Sequence, residues 1–229
     1  MKRLARAGIL VALAVCWIAA APAPQTTASG IPLDAPWKVT IYQLARTYFI
    51  HPAWGWQHSE RNYQVALQLA KGDGLTIDTD VLFAACMLHD MAAFAPYRAK
   101  GEHGEVAARE SAAVLRDAGF PMAKFPLAAR AMRGHMYYSD AGSDPNAIVL
   151  HDADSLDFLG AVGAVRMIAL TGETAPSAAK AIATLRTFLT DIPPKLVTRT
   201  AKSEAQARVI ELQALLDAYQ RESFQGVLP

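Results

Sequence analysis

Apolar residues along this chain recur every three or four positions rather than every second one, the signature of helices that each bury one face. The pattern predicts helices over residues 37–50, 57–72, 79–94, 102–118, 123–137, 146–171, 176–190 and 201–225. Turn signals separate them: Gly119 followed by Pro121, the stretch "SDAGSDPN" at 139–146, and Pro193 with Pro194. With no internal repeat and no alternating strand pattern, the expected fold is all-α, a single helical domain over residues 37–229.

Two of these segments carry polar residues where a core is expected. In the second, His58 falls on one stripe with Asn62, Val65 and Leu69, so its imidazole faces inward. A lone inward histidine is as readily a neutral, hydrogen-bonded core residue. The third, "DTDVLFAACMLHDMAAF", offers Asp78 or Asp80 as a cap and is then almost continuously apolar up to His89 and Asp90. Burying a carboxylate costs several kcal/mol unless something compensates it, such as a metal cation, a neighbouring arginine or a helix end. Adjacent helical residues diverge by about 100°, so His89 and Asp90 can meet only at a point off the helix, near the bundle centre.

Further candidates follow. His103 opens a helix and His135 stands near the end of another. "IVLHDADSLDFLG" holds a second His-Asp pair, His151-Asp152, together with Asp154 and Asp157. Asp152 and Asp154 lie roughly 200° apart on a helix, so one ion cannot easily use both. Asp154 shares a face with Ala161 and Val165, the stripe expected to be buried, which makes it the better ligand.

The order His58, His89-Asp90, Asp154 resembles the H…HD…D signature of the HD-domain metal-dependent phosphohydrolases, and in particular their small single-domain branch. "WQHSERNYQVALQLA" is similar to the Trp-x-His-x-x-Arg helix of those proteins. "HDADSLDFLGAVGAVR" resembles their DADxLDxxGAxGxxR segment, and "PPKLVTRTAKSEAQARV" their closing Thr-x-x-Ala-Lys helix. The likeness runs from about residue 55 to about residue 220. It implies an HD-domain helical bundle with His58, His89, Asp90 and Asp154 as metal ligands. It makes His151-Asp152 a decoy one turn earlier, with Asp152 a candidate for supporting the ligands. In some HD proteins, histidines at the steps of His103 and His135 hold a second ion bridged by the Asp of the His-Asp pair. In others they contact phosphate or donate a proton, so one ion or two both remain open, and a catalytic role is expected for His103 and His135.

Composition refines this picture. Lys2, Arg3 and Arg6 precede fifteen uncharged, mostly apolar residues, 7–21, which reads as a signal peptide over 1–23 cleaved between 20 and 28. Residues 24–36, rich in Pro, Thr and Ser, read as a flexible spacer. An exported, periplasmic or secreted protein is expected, with no stable membrane insertion after cleavage. Removal of the leader takes three of the 22 Lys and Arg, leaving 19 against 21 Asp and Glu, a net charge of about −2 that gives nucleic acid no general attraction. Cys86 alone remains, so no intramolecular disulfide can form.

Nitrogen and oxygen donors without thiolate suit a divalent transition metal (Mn, Fe, Ni, Co or Zn) or Mg. Such a site favours hydrolysis of a small phosphorylated substrate, with Arg61 and Lys195 as phosphate contacts. Lys202 and Arg208 read more readily as solvated or ion-paired charges. Trp54, Trp56, Tyr97, Tyr137 and Tyr138 are candidates to stack on a base, or simply to pack. An HD-fold di-iron oxygenase and a non-catalytic metal or nucleotide binder are the alternative function classes. Phosphate release, iron content and oxygen uptake separate them.

Overall fold

A computed structural model describes residues 26–172 and 177–225 and is all-helical apart from one isolated bridge between Thr26 and Pro32. In chain order the helices are α1 (Pro36–Tyr48), α2 (Trp56–Asp73), α3 (Thr79–Leu88), α4 (His103–Ala118) and α5 (Phe125–Arg133). They continue as α6 (Pro145–Leu156), α7 (Gly160–Ala169), α8 (Ala178–Asp191) and α9 (Arg199–Glu222). The expected signal peptide lies almost wholly outside the described residues. Among the described residues no helix is long and apolar enough to cross a membrane.

At the centre is α3, whose residues Val81 to Leu88 are all buried, as its unbroken apolar sequence requires. It starts where Asp78, rather than Asp80, accepts hydrogen bonds from the backbone N–H groups of Asp80 and Val81. The helices α2 and α5 pack against it, α6 lies against α2 and α5, and α4 pairs with α5. The long α9 closes the bundle over α7, α8 and α6. Its first turn is held by a neighbour, since Asp73 at the end of α2 accepts from the N–H groups of Arg199 and Thr200 and from the Thr200 hydroxyl.

Three sequence expectations need correction. The segment 146–171 is two helices, because the chain turns at Asp157–Leu159 and Gly160 takes φ +67°, a left-handed conformation that a side chain would strain. The stripe of Asp154 with Ala161 and Val165 therefore does not exist: Asp154 is buried, whereas Ala161 is exposed and Val165 is 68% exposed. The described part of the spacer is not loose either. Ile31 and Leu33 are buried, the Ala28 N–H donates to the Tyr42 hydroxyl at 2.9 Å, and the Ser29 N–H donates to Glu60 at 2.9 Å.

Two helix ends set up the site. The expected helix 79–94 stops at Leu88, and Asp90 adopts φ −97°, ψ 6° before a short 3₁₀ turn over 91–93. This departure from helical geometry lets neighbouring His89 and Asp90 point to one place. The expected helix 123–137 stops at Arg133, leaving His135 in the loop beyond it. A Cβ on Gly104 would come within 2.7 Å of the Met132 carbonyl oxygen, so glycine permits the start of α4 to abut the end of α5. That contact sets His103 beside His135, with ring centroids 5.5 Å apart.

Candidate metal centre

Three helices, α2, α4 and α6, and the ends of two more, α3 and α5, deliver one cluster. His58 Nε2 lies 3.0 Å from Asp154 Oδ1, 3.5 Å from Asp90 Oδ2 and 3.2 Å from His89 Nε2. His89 Nε2 lies in turn 3.4 Å from Asp90 Oδ2 and 3.9 Å from Asp154 Oδ1. Asp90 turns its other oxygen to a second group: Oδ1 is 2.7 Å from His103 Nε2 and 3.8 Å from His135 Nε2. Thus His58, His89 and Asp90 form one potential ligand set, and Asp90, His103 and His135 another, with Asp90 common to both.

The buried imidazoles are oriented from behind. Nδ1–H of His58 donates to Asp157 Oδ2 at 2.6 Å, that of His89 to the Cys86 carbonyl at 2.8 Å, and that of His135 to the Met132 carbonyl at 2.6 Å. With Nδ1 so committed, each ring presents Nε2 to the cluster, the tautomer a metal ligand needs. Two backbone carbonyls and one carboxylate therefore fix the face each histidine shows.

The residues fit a cation. The Nε2 atoms of His58 and His89 and carboxylate oxygens of Asp90 and Asp154 converge at 3.0 to 3.9 Å, an arrangement that a cation in its midst would satisfy. His135 Nε2 and Asp154 Oδ2 are buried with no hydrogen-bond partner. Burial works against charging His89, yet the Asp90 and Asp154 carboxylates push it up to about 9. Burial, with His89 adding to it, holds His135 down to about 4 and keeps its imidazole neutral. Asp90 is held well below the usual carboxylate range, because His89 and His103 outweigh the cost of its burial.

Two important residues were not assigned from the sequence. Asp157, 2% exposed, accepts from His58 and receives Arg61 in a two-pronged pair, Nε to Oδ1 at 3.0 Å and Nη2 to Oδ2 at 2.8 Å. Burial opposes its ionisation, but His58, Arg61 and Arg166 hold it far below the usual range. Arg166, also 2% exposed, donates to the Asp157 and Ala53 carbonyls and lies 3.1 Å from Asp157 Oδ2. The signal for Asp157 was its place one turn after Asp154, which puts both on one face of a helix.

Other expectations change in role. Arg61, expected as a phosphate contact, is engaged by Asp157. Lys195 is exposed and is not among the residues lining the cavity beside the cluster. Asp152 does not support the ligands: it accepts from Val197 N–H, Thr198 N–H and the Thr198 hydroxyl, anchoring the start of α9, with His151 Nδ1 at 3.0 Å. The second His-Asp pair is thus structural. Arg208 pairs with Glu204 and donates to the Leu156 carbonyl, as its reading as a paired charge anticipated, and Lys202 is exposed.

A cavity of about 460 Å³ opens onto Asp90, His103 and Asp154. Trp54, Tyr137 and Tyr138 line it, whereas Trp56 and Tyr97 do not; Trp56 packs against Tyr42, and Tyr97 against Phe49 and Tyr48. Phe158, Phe188 and Arg166 complete the far wall.

The HD domain family model matches residues 55–159, the span that contains His58, His89, Asp90 and Asp154. No curated protein sequence matches the chain. Among solved structures, a protein from Lactobacillus plantarum superposes with TM-score 0.64 at 19% identity, covering 81% of this chain and 95% of its own. YpgQ of Bacillus subtilis, solved in complex with ADP, gives TM-score 0.63 at 17% identity over 81% of this chain and 97% of its own. An HD-superfamily hydrolase from Bacillus thuringiensis gives 0.54 at 21% identity over 73% and 85%. At these identities the likeness concerns the fold. Residues 55–159 thus match the HD domain model, and the solved structures share the fold around that span.

Proposed function

We propose that the protein is a metal-dependent phosphohydrolase that cleaves a phosphoester or phosphoanhydride bond with water. The observation that carries this reading is the convergence of the His58 and His89 Nε2 atoms, 3.2 Å apart, on Asp90 and Asp154 beside an open cavity. His58, His89, Asp90 and Asp154 would hold one divalent ion, and His103 and His135 with the shared Asp90 could hold a second. Mn, Fe, Co, Ni, Zn and Mg all suit such a donor set in varying degree. When bound, a divalent ion there supplies Lewis acidity, easing deprotonation of water and screening the phosphoryl oxygens.

The chain's own groups do the rest. Asp157 and the Cys86 and Met132 carbonyls fix the imidazoles, so the ligands need no rearrangement on loading. His103, the most exposed imidazole of the cluster at 30%, lies on the cavity side and can carry a proton to the leaving oxygen. Met136, Tyr137 and Phe158 help wall the cavity and limit the access of bulk water. We also propose export to the periplasm or medium, from the basic and apolar N-terminal pattern.

The test is phosphate release over a panel of mono-, di- and triphosphates, using protein loaded with the metal it retains. ADP belongs in that panel because YpgQ was solved with it. Turnover lost in His89→Ala and Asp90→Ala supports the reading. Two iron atoms per chain with oxygen uptake and no phosphate release would replace it with the oxygenase, and tight metal binding without turnover would replace it with a binding protein.

A further inference from the structure

The cavity beside the cluster has two unlike walls. One carries the acids and His103; the other is built of Trp54, Tyr137, Phe158 and Phe188, with Tyr138 at the rim, 59% exposed. Three of these rings pack on one another, Phe158 on Phe188 at 5.0 Å between centroids and Tyr137 edge-on to both at 6.4 and 6.0 Å, while Trp54 stacks on His51. They form a preassembled apolar surface. The cavity volume falls within the range usual for small-molecule sites.

Charge is the second feature. Among the described residues lining the cavity, Arg166 is the only arginine and none is a lysine. Arg166 directs Nε to the Ala53 carbonyl and Nη1 to the Asp157 carbonyl and carboxylate, its Nη2 lies 3.4 Å from His58 Nε2, and its guanidinium lies over the Phe158 ring at 4.5 Å. Arg61 is bound to Asp157, and Arg98 directs both Nε and Nη2 to the Ala93 carbonyl. A di- or triphosphate carries more negative charge than one phosphoryl group and would need further donors along its chain. Among the described residues the lining offers no ammonium and one guanidinium, most of whose donors are already engaged.

From these observations, and resting on the phosphohydrolase reading above, we infer that the substrate is a phosphate monoester of an apolar, ring-bearing alcohol or phenol, not a nucleoside di- or triphosphate. The single phosphoryl group lies at the cluster and the ring lies on the aromatic wall. In the reaction the ester P–O bond breaks. Water gives its hydroxyl to phosphorus and its proton to the leaving oxygen, releasing phosphate and the alcohol.

The experiment compares phenyl phosphate, glycerol phosphate, ADP and ATP as substrates of the metal-loaded full chain, and separately measures phenylphosphonate and methylphosphonate binding by calorimetry. Burying one ring corresponds to about tenfold or more in affinity. Phenyl phosphate should therefore exceed glycerol phosphate about tenfold in kcat/KM, with ADP and ATP slower still. Phenylphosphonate should bind about tenfold tighter than methylphosphonate. Tyr137→Ala should shrink both ratios. ATP or ADP turned over faster than phenyl phosphate, or equal binding of the two phosphonates, overturns the inference. If no ester is hydrolysed, the phosphohydrolase reading fails, and the phosphonate ratio alone then decides whether the cavity selects an apolar ring.

Discussion

Asp157 Oδ2 lies 2.6 Å from His58 Nδ1, and the same carboxylate is held by Arg61 and Arg166. One buried anion at the end of α6 thereby sets the tautomer of an imidazole on α2 while tying α2, through Arg166, to the last turn of α7. Its loss should be felt in both site and fold. Asp157→Asn is expected to weaken metal binding about 10–100-fold, the usual effect of removing a carboxylate behind a ligating histidine. It should also lower the thermal midpoint, because two arginines lose their counter-charge. Titration calorimetry with Mn²⁺ beside a thermal melt checks this; unchanged affinity would mean that Asp157 serves the arginines alone.

The acids of α6 divide into two roles. Asp154→Asn should lose the metal with little change in helical content, since Asp154 Oδ1 faces His58 and His89. Asp152→Asn should keep the metal and lose about 1–3 kcal/mol of stability, since its carboxylate takes the backbone N–H groups that begin α9. Metal content and urea unfolding of the two variants decide the matter, and the reverse order would displace the assignment from Asp154 to Asp152.

The helices were largely legible because their apolar spacing is regular, and the His-Asp pair was legible because it interrupts a buried run. Asp154 does stand in the cluster, but the reason given for it does not hold. The apolar stripe invoked for it crosses a break at Gly160, and what buries Asp154 is the contact of α6 with α2. Asp157, the tie between Arg61 and that acid, and the commitment of Arg166 were not assigned. Each depends on a pairing between residues about ninety or more positions apart, or on a turn that a spacing pattern does not encode.

Acid should loosen the join between α2 and α9. Hydrogen bonds from Thr200, outweighing burial, and from the Arg199 backbone bring Asp73 down to about 2. A folded-state pKa below the unfolded value gives stability that is fully present above about pH 4 and is lost as pH falls towards about 2. Asp73→Asn should therefore be less stable than the parent at neutral pH, with the difference closing through that window. Paired unfolding curves from pH 7 to pH 2 test this, and a gap that stays constant would rule out the carboxylate as its source.

Removing the metal should cost stability as well as activity. Stripping it leaves the Asp90 and Asp154 carboxylates and the imidazoles facing one another, so a ligand that binds only the folded chain is withdrawn. The thermal midpoint should drop on chelation and return when the ion is restored. A midpoint indifferent to both treatments would argue against a resident ion.

The most direct test of the centre is elemental analysis of the purified protein, wild type against Asp90→Ala, because Asp90 alone belongs to both ligand sets. One or two divalent ions per wild-type chain, falling to near zero in the variant, is the predicted result. A wild-type chain that neither carries nor takes up a divalent ion, or an Asp90→Ala variant that keeps a full complement, would contradict it.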